Sequence, residues 1–265
     1  MQALNALAPQ VRRAAPVRLI VVNDGTHDPT YDRVIAKYED VVLYRPLPAN
    51  LGPAHARNEG VRASDAVFVA FLDDDCVAPP HWLNWLLALM ETEPHIDVFG
   101  GPTRPPQTVE IPSAIERFNR AFGFYPRPLY SGGEIFCLPS ANVAVRRSIF
   151  VNAGGFDTAF RYAAGEDLNF FYQLKKSGYK FFIDEKLFVI HPVSDTPRAF
   201  VRRWYRYGYG TAQHRIKSDD ARDYGLLPGT TYKSVLEELP RHIRYMRQRL
   251  ESGRGGDWLL PDPEV

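Results

Sequence analysis

Little in this chain of 265 residues is extreme, and what it lacks narrows the possibilities first. Charge of neither sign dominates: 32 Lys and Arg stand against 31 Asp and Glu, for a net charge of +1. A dedicated nucleic-acid binder should carry a basic surplus, so nucleic acid is not an expected partner. Long hydrophobic runs are missing, and none approaches the ~18 residues that a membrane-crossing helix needs. The first residues lack the apolar core of a signal peptide. Cysteine is scarce. Cys76 and Cys137 make no disulfide framework and no Cys-x-x-Cys zinc pair, so a reducing cytoplasm is the expected compartment. No internal repeat and no low-complexity linker splits the chain, whose length suits one large domain with a tail or two small domains.

What the sequence does contain is an apolar run that ends in acid. Ala66-Val67-Phe68-Val69-Ala70-Phe71-Leu72 leads straight into Asp73, Asp74 and Asp75. An unbroken apolar run bounded by polar residues predicts a strand buried on both faces, as in a parallel sheet covered by helices. The three acids then stand at its carboxyl end, where open α/β sheets bind ligands. Adjacent carboxylates repel one another, and a divalent cation taking oxygen ligands is the simplest offset. The plainer alternative is a solvated acidic turn between strand and helix.

Upstream, residues 2–14 carry Leu4, Leu7 and Val11 at helical intervals, and Pro16 ends that helix. Residues 17–22 predict a buried strand stopped by Asn23-Asp24-Gly25-Thr26. Asp24 reads equally as a turn residue and as a second strand-end acid facing the same crevice. A helix over residues 31–38 and a short strand over 41–44 follow. Gly52 and Pro53 open the next helix in the favoured order. Its Arg57 projects a fixed fork of donors, suited to phosphate or a base edge, or else to a surface salt bridge.

Downstream, Pro79-Pro80 starts an amphipathic helix through Glu93, with Trp82, Trp85, Leu86 and Leu89 on its core side. Residues 98–101 read as a strand leading into a Pro-rich loop, and 113–122 as a helix. Residues 124–139, rich in Pro, Gly and Tyr without a period, predict a functional or mobile loop. A strand over 140–145, a short helix from Arg146 and a turn at 154–157 come next. Gly165-Glu166-Asp167 then introduces the helix 168–176, whose dipole alone would favour acids in its first turn. Residues 179–190 read as strand, turn, strand, ending at His191-Pro192. Residues 198–210 mix Arg202, Arg203 and Arg206 with Trp204, Tyr205, Tyr207 and Tyr209. That mixture fits a peripheral contact with an anionic membrane surface or a solvated face over a buried aromatic stripe. A helix over 232–250 and a loose tail over 251–265 complete the chain.

Taken in order, these pieces resemble one family. Val-Val-Asn-Asp-Gly-Thr-x-Asp at 21–28, Asn-x-Gly-x-x-x-Ala-Arg-Asn-x-Gly at 50–60 and Phe-Leu-Asp-Asp-Asp at 71–75 are followed by Gly-Gly-Phe-Asp at 154–157. Gly-Glu-Asp at 165–167 and the strand-end His191 complete the series. The set resembles family 2 glycosyltransferases of the GT-A fold, over about residues 1–210. Each motif is weak alone; the ordered set is specific.

The resemblance implies an α/β fold, a GT-A type nucleotide-binding fold with a mostly parallel sheet flanked by helices. Residues 1–210 would form that domain, and 211–265 a helical extension and tail. It also implies a nucleoside-diphosphate sugar donor, a divalent metal (Mn2+ or Mg2+) and inverting transfer to an acceptor hydroxyl. The acceptor would be a glycan, a lipid-linked glycan or a small molecule, in glycan or cell-surface polysaccharide synthesis. By the same resemblance Asp24 contacts the nucleotide base and Arg57 lines the nucleotide pocket. Asp75 binds the metal, with Asp73 at the ribose or the metal and Asp74 close by. His191 completes the metal shell. Asp167 is the catalytic base, and Glu166 beside it orients the acceptor. Cys76, a soft ligand, is left out of the metal set.

Two departures stand against the family pattern. Asn23 replaces the first acid of the usual Asp-Asp pair. The chain also begins inside what resembles the family's first helix, without the strand that in relatives precedes it and sits centrally in the nucleotide-binding half. An unpaired sheet edge is the expected consequence, and an upstream start the expectation that goes with it. A non-catalytic nucleotide- or glycan-binding relic of the fold is therefore the competing reading. A phosphotransferase or phosphatase would also place acids at a strand end, but it leaves Gly165-Glu166-Asp167 unexplained.

Overall fold

The computed structural model describes residues 2–14, 16–106, 115–116, 119, 128–131, 134–192 and 196–218. Helix α1 (Gln2–Val11) buries Leu7, Ala8 and Val11, as its apolar spacing predicts. Gln10 turns inward with them: its Oε1 accepts from the Leu83 N–H at 3.0 Å and its Nε2 donates to the Pro79 carbonyl at 2.9 Å. One buried amide thus satisfies an otherwise free donor at the start of helix α4 (Trp82–Thr92).

Strand β1 (Leu19–Asn23) runs parallel to β2 (Val42–Pro46), in register from Leu19 with Val42 to Asn23 with Pro46. The crossover between them holds α2 (Pro29–Ile35), whose N-cap Asp28 accepts from the Thr30 N–H and whose first turn carries Pro29. Helix α3 (Pro53–Arg62) then leads to β3 (Phe68–Leu72). With β4 (Val98–Gly100), β8 (Asn142–Arg146) and β9 (Phe181–Ile183), β3 forms a four-stranded sheet in the order β3-β8-β4-β9.

The class is α/β, but β3 corrects one expectation. It lies at the edge of its sheet, antiparallel to β8, and only Val69 and Phe71 of the apolar run are buried while Val67 and Ala70 are exposed. Because β8 enters antiparallel between β3 and β4, parallel pairing among the described residues is confined to β1 with β2, β4 with β9, and the short β5 (Thr103–Arg104) with β10 (Val189–Ile190). Among the described residues β1 and β3 each have a ladder partner on one side only.

Helices cover both faces of the four-stranded sheet. On one, Val69, Phe71, Val98 and Val145 pack with Phe150, Phe156, Phe170 and Phe171, whose rings meet edge-on or tilted at 4.8–6.3 Å. Full burial of each such ring is worth about 1.5–3 kcal/mol. On the other, Phe99 and Ala144 meet Trp82, Leu83 and Leu86 of α4 and Leu7 and Val11 of α1. Trp82 is a core residue, as expected, and its indole N–H donates to Asn142 Oδ1 at 3.0 Å.

Within the loop expected at 124–139 the structure shows a hairpin, β6 (Leu129–Ser131) with β7 (Glu134–Cys137). It is anchored to α6 (Glu166–Lys176) by Glu134 and Lys175, 2.8 Å apart. The short α5 (Arg147–Asn152) follows β8. Helix α7 (Pro197–Lys217) is capped by the Thr196 hydroxyl, contains the basic aromatic segment and runs across residue 210. Most of the helix expected at 113–122, and all of the helix expected at 232–250 and the tail expected at 251–265, lie outside the described residues. No helix among the described residues is long and apolar enough to cross a membrane.

Candidate functional site

Asp73, Asp74 and Asp75 follow β3 directly, and the backbone then turns back as Cys76 N–H donates to the Asp73 carbonyl at 3.0 Å. Val77 next pairs antiparallel with Ile190, each N–H donating to the other's carbonyl at 2.8 and 2.9 Å. That bridge fixes the far partner. It brings His191, the residue after β10, against the acid triplet: Nε2 lies 3.7 Å from Asp75 Oδ1 and 3.9 Å from Asp73 Oδ2. Asp74 is exposed beside them.

Burial raises the Asp75 carboxyl above its ordinary value, His191 opposes that shift, and Asp73 and Asp74 add to it. Burial, then Asp73 and Asp75, push the Cys76 thiol well up. The ligand atoms of Asp75, Cys76 and His191 lie within 4.8 Å of one another. The donor set fits a divalent cation that takes oxygen and nitrogen, and the repulsion within the triplet is of the kind such an ion offsets.

Arg57, on α3, links this cluster to the second one. Its Nη2 donates to Asp73 Oδ1 at 3.1 Å and its Nη1 to Glu166 Oε1 at 2.6 Å. Burial alone would lower the guanidinium's value, but Asp73, Glu166 and Asp167 together raise it. A surface salt bridge is thereby excluded for Arg57. Glu166 is only 1% exposed. Burial and neighbouring Asp167 push its carboxyl up to about 7, against the pull of Arg57. Its Oε2 is enclosed and has no hydrogen-bond partner among the described residues.

Asp167 sits beside it in the first turn of α6. Its Oδ1 accepts from the Leu168 N–H at 2.8 Å, and its Oδ2 accepts from the Ser140 N–H at 3.1 Å and the Ser140 hydroxyl at 3.3 Å. The loop before these two acids touches α7 backbone to backbone. A Cβ on Gly210 would stand 2.1 Å from the Ala164 carbonyl oxygen, and Gly165 holds φ at +90°. Only glycine satisfies both demands.

The structure therefore gathers Asp73, Asp75, His191, Arg57 and Glu166 into one connected group, with Asp167 adjoining. Asp24 is placed differently. Its two oxygens accept from the Leu51 and Gly52 N–H groups at 2.8 and 2.9 Å, so it shapes the loop that opens α3. Asn23, in the unusual position, closes its own turn by exchanging hydrogen bonds with Thr26.

Sequence reasoning missed Ser140 and Asn58. The Asn58 amide donates to the Phe156 carbonyl and accepts from the Phe156 N–H, joining the segments 50–60 and 154–157. The one available signal was that Asn58 directly follows Arg57 inside a motif.

Comparison with known proteins bears on the family and the fold. The model for glycosyl transferase family 2 matches residues 2–154, more than half of the chain. A pre-mycofactocin glycosyltransferase of Mycobacterium tuberculosis is 28% identical over 211 residues, covering 77% of this chain and 43% of the relative. A glucosyl-dolichyl phosphate glucuronosyltransferase of Haloferax volcanii is 29% identical over 154 residues, covering 54% and 47%. The chain spans less than half the length of these two relatives.

Among solved structures, S. aureus TarS 1-349 in complex with UDP matches with a TM-score of 0.54 at 18% identity, over 94% of this chain and 75% of that one. The mannosyltransferase PcManGT of Pyrobaculum calidifontis, in complex with GDP-Man and Mn2+, matches with a TM-score of 0.54 at 16% identity, over 89% and 64%. At such identities the likeness shows the fold alone, that of the GT-A glycosyltransferases.

Proposed function

This chain belongs to glycosyl transferase family 2, and from that premise we propose a metal-dependent, inverting transfer of sugar from a nucleoside-diphosphate donor to an acceptor hydroxyl. The observation that carries the reading is the single connected group formed by Asp73, Asp75, His191, Arg57 and Glu166. Asp73, Asp75 and His191 would hold Mn2+ or Mg2+, with Asp74 close by. Such an ion supplies positive charge for the diphosphate that leaves. Arg57 and the loop that Asp24 holds in shape would line the nucleotide. UDP and GDP-Man in the two solved relatives support a nucleoside-diphosphate sugar as donor.

Asp167 would take the acceptor's proton as general base, with Ser140 orienting the carboxylate. Glu166, which holds Arg57 beside Asp167, would orient the acceptor. Direct displacement from the face opposite the leaving diphosphate inverts the sugar and forms no covalent sugar–enzyme intermediate. The acceptor class is a glycan, a lipid-linked glycan or a small molecule. Residues 1–210 would be the transferase domain, and 211–265 a helical extension and tail. Exposed Val201, Tyr205 and Tyr209 beside Arg202 and Arg206 support a peripheral contact of α7 with the inner face of a membrane, from a cytoplasmic location.

A thermal-shift series with nucleoside diphosphates, in Mn2+ and in EDTA, tests the reading. A bound nucleotide at ~100 times its dissociation constant should stabilise the protein by ~2.7 kcal/mol, and EDTA should remove that gain. Asp75→Asn should lose the metal-dependent part. No metal-dependent stabilisation by any nucleoside diphosphate would overturn the assignment.

A further inference from the structure

We propose that Cys76 is a further protein ligand of the cation site. The site would then offer carboxylate, imidazole and thiolate together, and would take thiophilic ions such as Co2+ and Zn2+ besides Mn2+. This rests on the metal reading above and adds a ligand to it.

Three observations support the assignment. Cys76 is fully buried, yet it adjoins the acid triplet, and its Sγ belongs to a group in which a carboxylate oxygen of Asp75 and a ring nitrogen of His191 all lie within 4.8 Å. Ligands held at ~2.0–2.3 Å from one ion stand roughly 3.3–3.8 Å apart in a tetrahedral shell. The cluster needs to close by no more than roughly 1–1.5 Å on that scale. Asp75, whose side chain is 54% exposed, is free to swing in.

The backbone holds the other two where they are. The Val77–Ile190 bridge ties together the residues immediately after Cys76 and immediately before His191. Sites carried on such paired backbone keep their geometry better than sites on free loops. Finally, the His191 side chain is only 12% exposed and its Nε2 faces Asp75 Oδ1 at 3.7 Å, so the ring already presents a nitrogen to the same group.

Thiolate is a soft ligand. It adds affinity for Co2+ and Zn2+, which also stand above Mn2+ in the general affinity order for such sites, and it adds nothing for Mg2+. Cys76 gives up its thiol proton to solvent as the sulfur–metal bond forms, so the charge balances.

The test uses the full chain stripped with EDTA and titrated with cobalt(II) chloride, with and without UDP. The expected result is a near-ultraviolet sulfur-to-cobalt charge-transfer band that saturates together with the visible cobalt bands. Cys76→Ser should lose the charge-transfer band, whereas Cys137→Ala, at the other cysteine, should keep it. Cobalt bound without a charge-transfer band overturns the Cys76 assignment and leaves the carboxylate–histidine site standing. A band that disappears with Cys137 instead overturns it as well. No cobalt binding under either condition overturns this proposal together with the metal reading beneath it. The wild-type and Cys137→Ala spectra together decide the matter even if Cys76→Ser does not fold.

Discussion

Arg57 and Glu166 form an ion pair that is nearly closed to solvent, with Nη1 2.6 Å from Oε1 and the two side chains 17% and 2% exposed. The same guanidinium reaches Asp73 at 3.1 Å. One fork of donors thus holds the end of β3 and the start of α6 at a fixed separation. Desolvating both charges cancels much of the Coulombic gain, so the pair specifies geometry more than it adds stability. Removing one partner is another matter.

Arg57→Ala leaves Glu166 enclosed without its counter-charge. Breaking a buried pair in this way costs about 3–5 kcal/mol. Glu166 can relieve the strain by taking up a proton, so the loss should be larger above its value of about 7 than below it. Urea unfolding of both proteins at a pH one unit on either side checks this. Equal losses at both would show that Glu166 is not the group left exposed to the deficit.

Glu166→Gln separates the ionisation from the contact. The folded protein raises Glu166 from 4.5 to about 7, so the folded state binds its proton more tightly than the unfolded state does. The stability linked to this group is therefore fully present below about 4.5 and is lost as pH rises to about 7. Glutamine cannot ionise but keeps an oxygen for Arg57. The melting temperature of Glu166→Gln minus that of the wild type should climb across this window and level off on both sides. A difference independent of pH would refute the assignment.

Asn58→Ala should destabilise without touching any acid. It strips the Phe156 N–H and carbonyl of their partners inside the core, at about 1–3 kcal/mol for each buried group left unpaired. The urea midpoint should fall while the slope of the transition stays as in the wild type. A fall of a few tenths of a kcal/mol would mean that the loop carrying Gly155 and Phe156 is held by its neighbours alone.

What could be read from the sequence was local. Asp73, Asp75, Glu166 and Asp167 each occur within a few residues of a strand or helix boundary, and such boundaries follow from apolar patterning. Pairings could not be read in that way. Val67, Ala70 and Phe71 are equally apolar, so the run ending at Asp73 does not reveal that β3 is an edge strand antiparallel to β8. Ser140 and Asp167 are 27 residues apart, and Asn58 and Phe156 are 98 apart. No local pattern marks either contact. The hairpin of β6 and β7 was hidden because Pro and Gly interrupt the alternation that announces a strand. His191 was suggested only by motif order; its place beside Asp75 depends on the Val77–Ile190 bridge.

Ser140 gives a graded test of the catalytic arrangement. Asp167→Asn should leave nucleotide binding intact and lower kcat by ~10²–10⁴, the usual contribution of a general base. Ser140→Ala removes only the hydroxyl, which lies 3.3 Å from Asp167 Oδ2; the backbone N–H at 3.1 Å remains. One hydrogen bond of about 0.5–1.5 kcal/mol corresponds to a loss of up to about tenfold in kcat, with the donor KM unchanged. Ser140→Thr restores a hydroxyl and should recover part of that loss. The decisive comparison is the double variant. If Ser140 acts only by orienting Asp167, then Ser140→Ala should cost nothing further once Asp167 is Asn, because the carboxylate it orients has gone. Losses that multiply would assign Ser140 a role of its own at the acceptor.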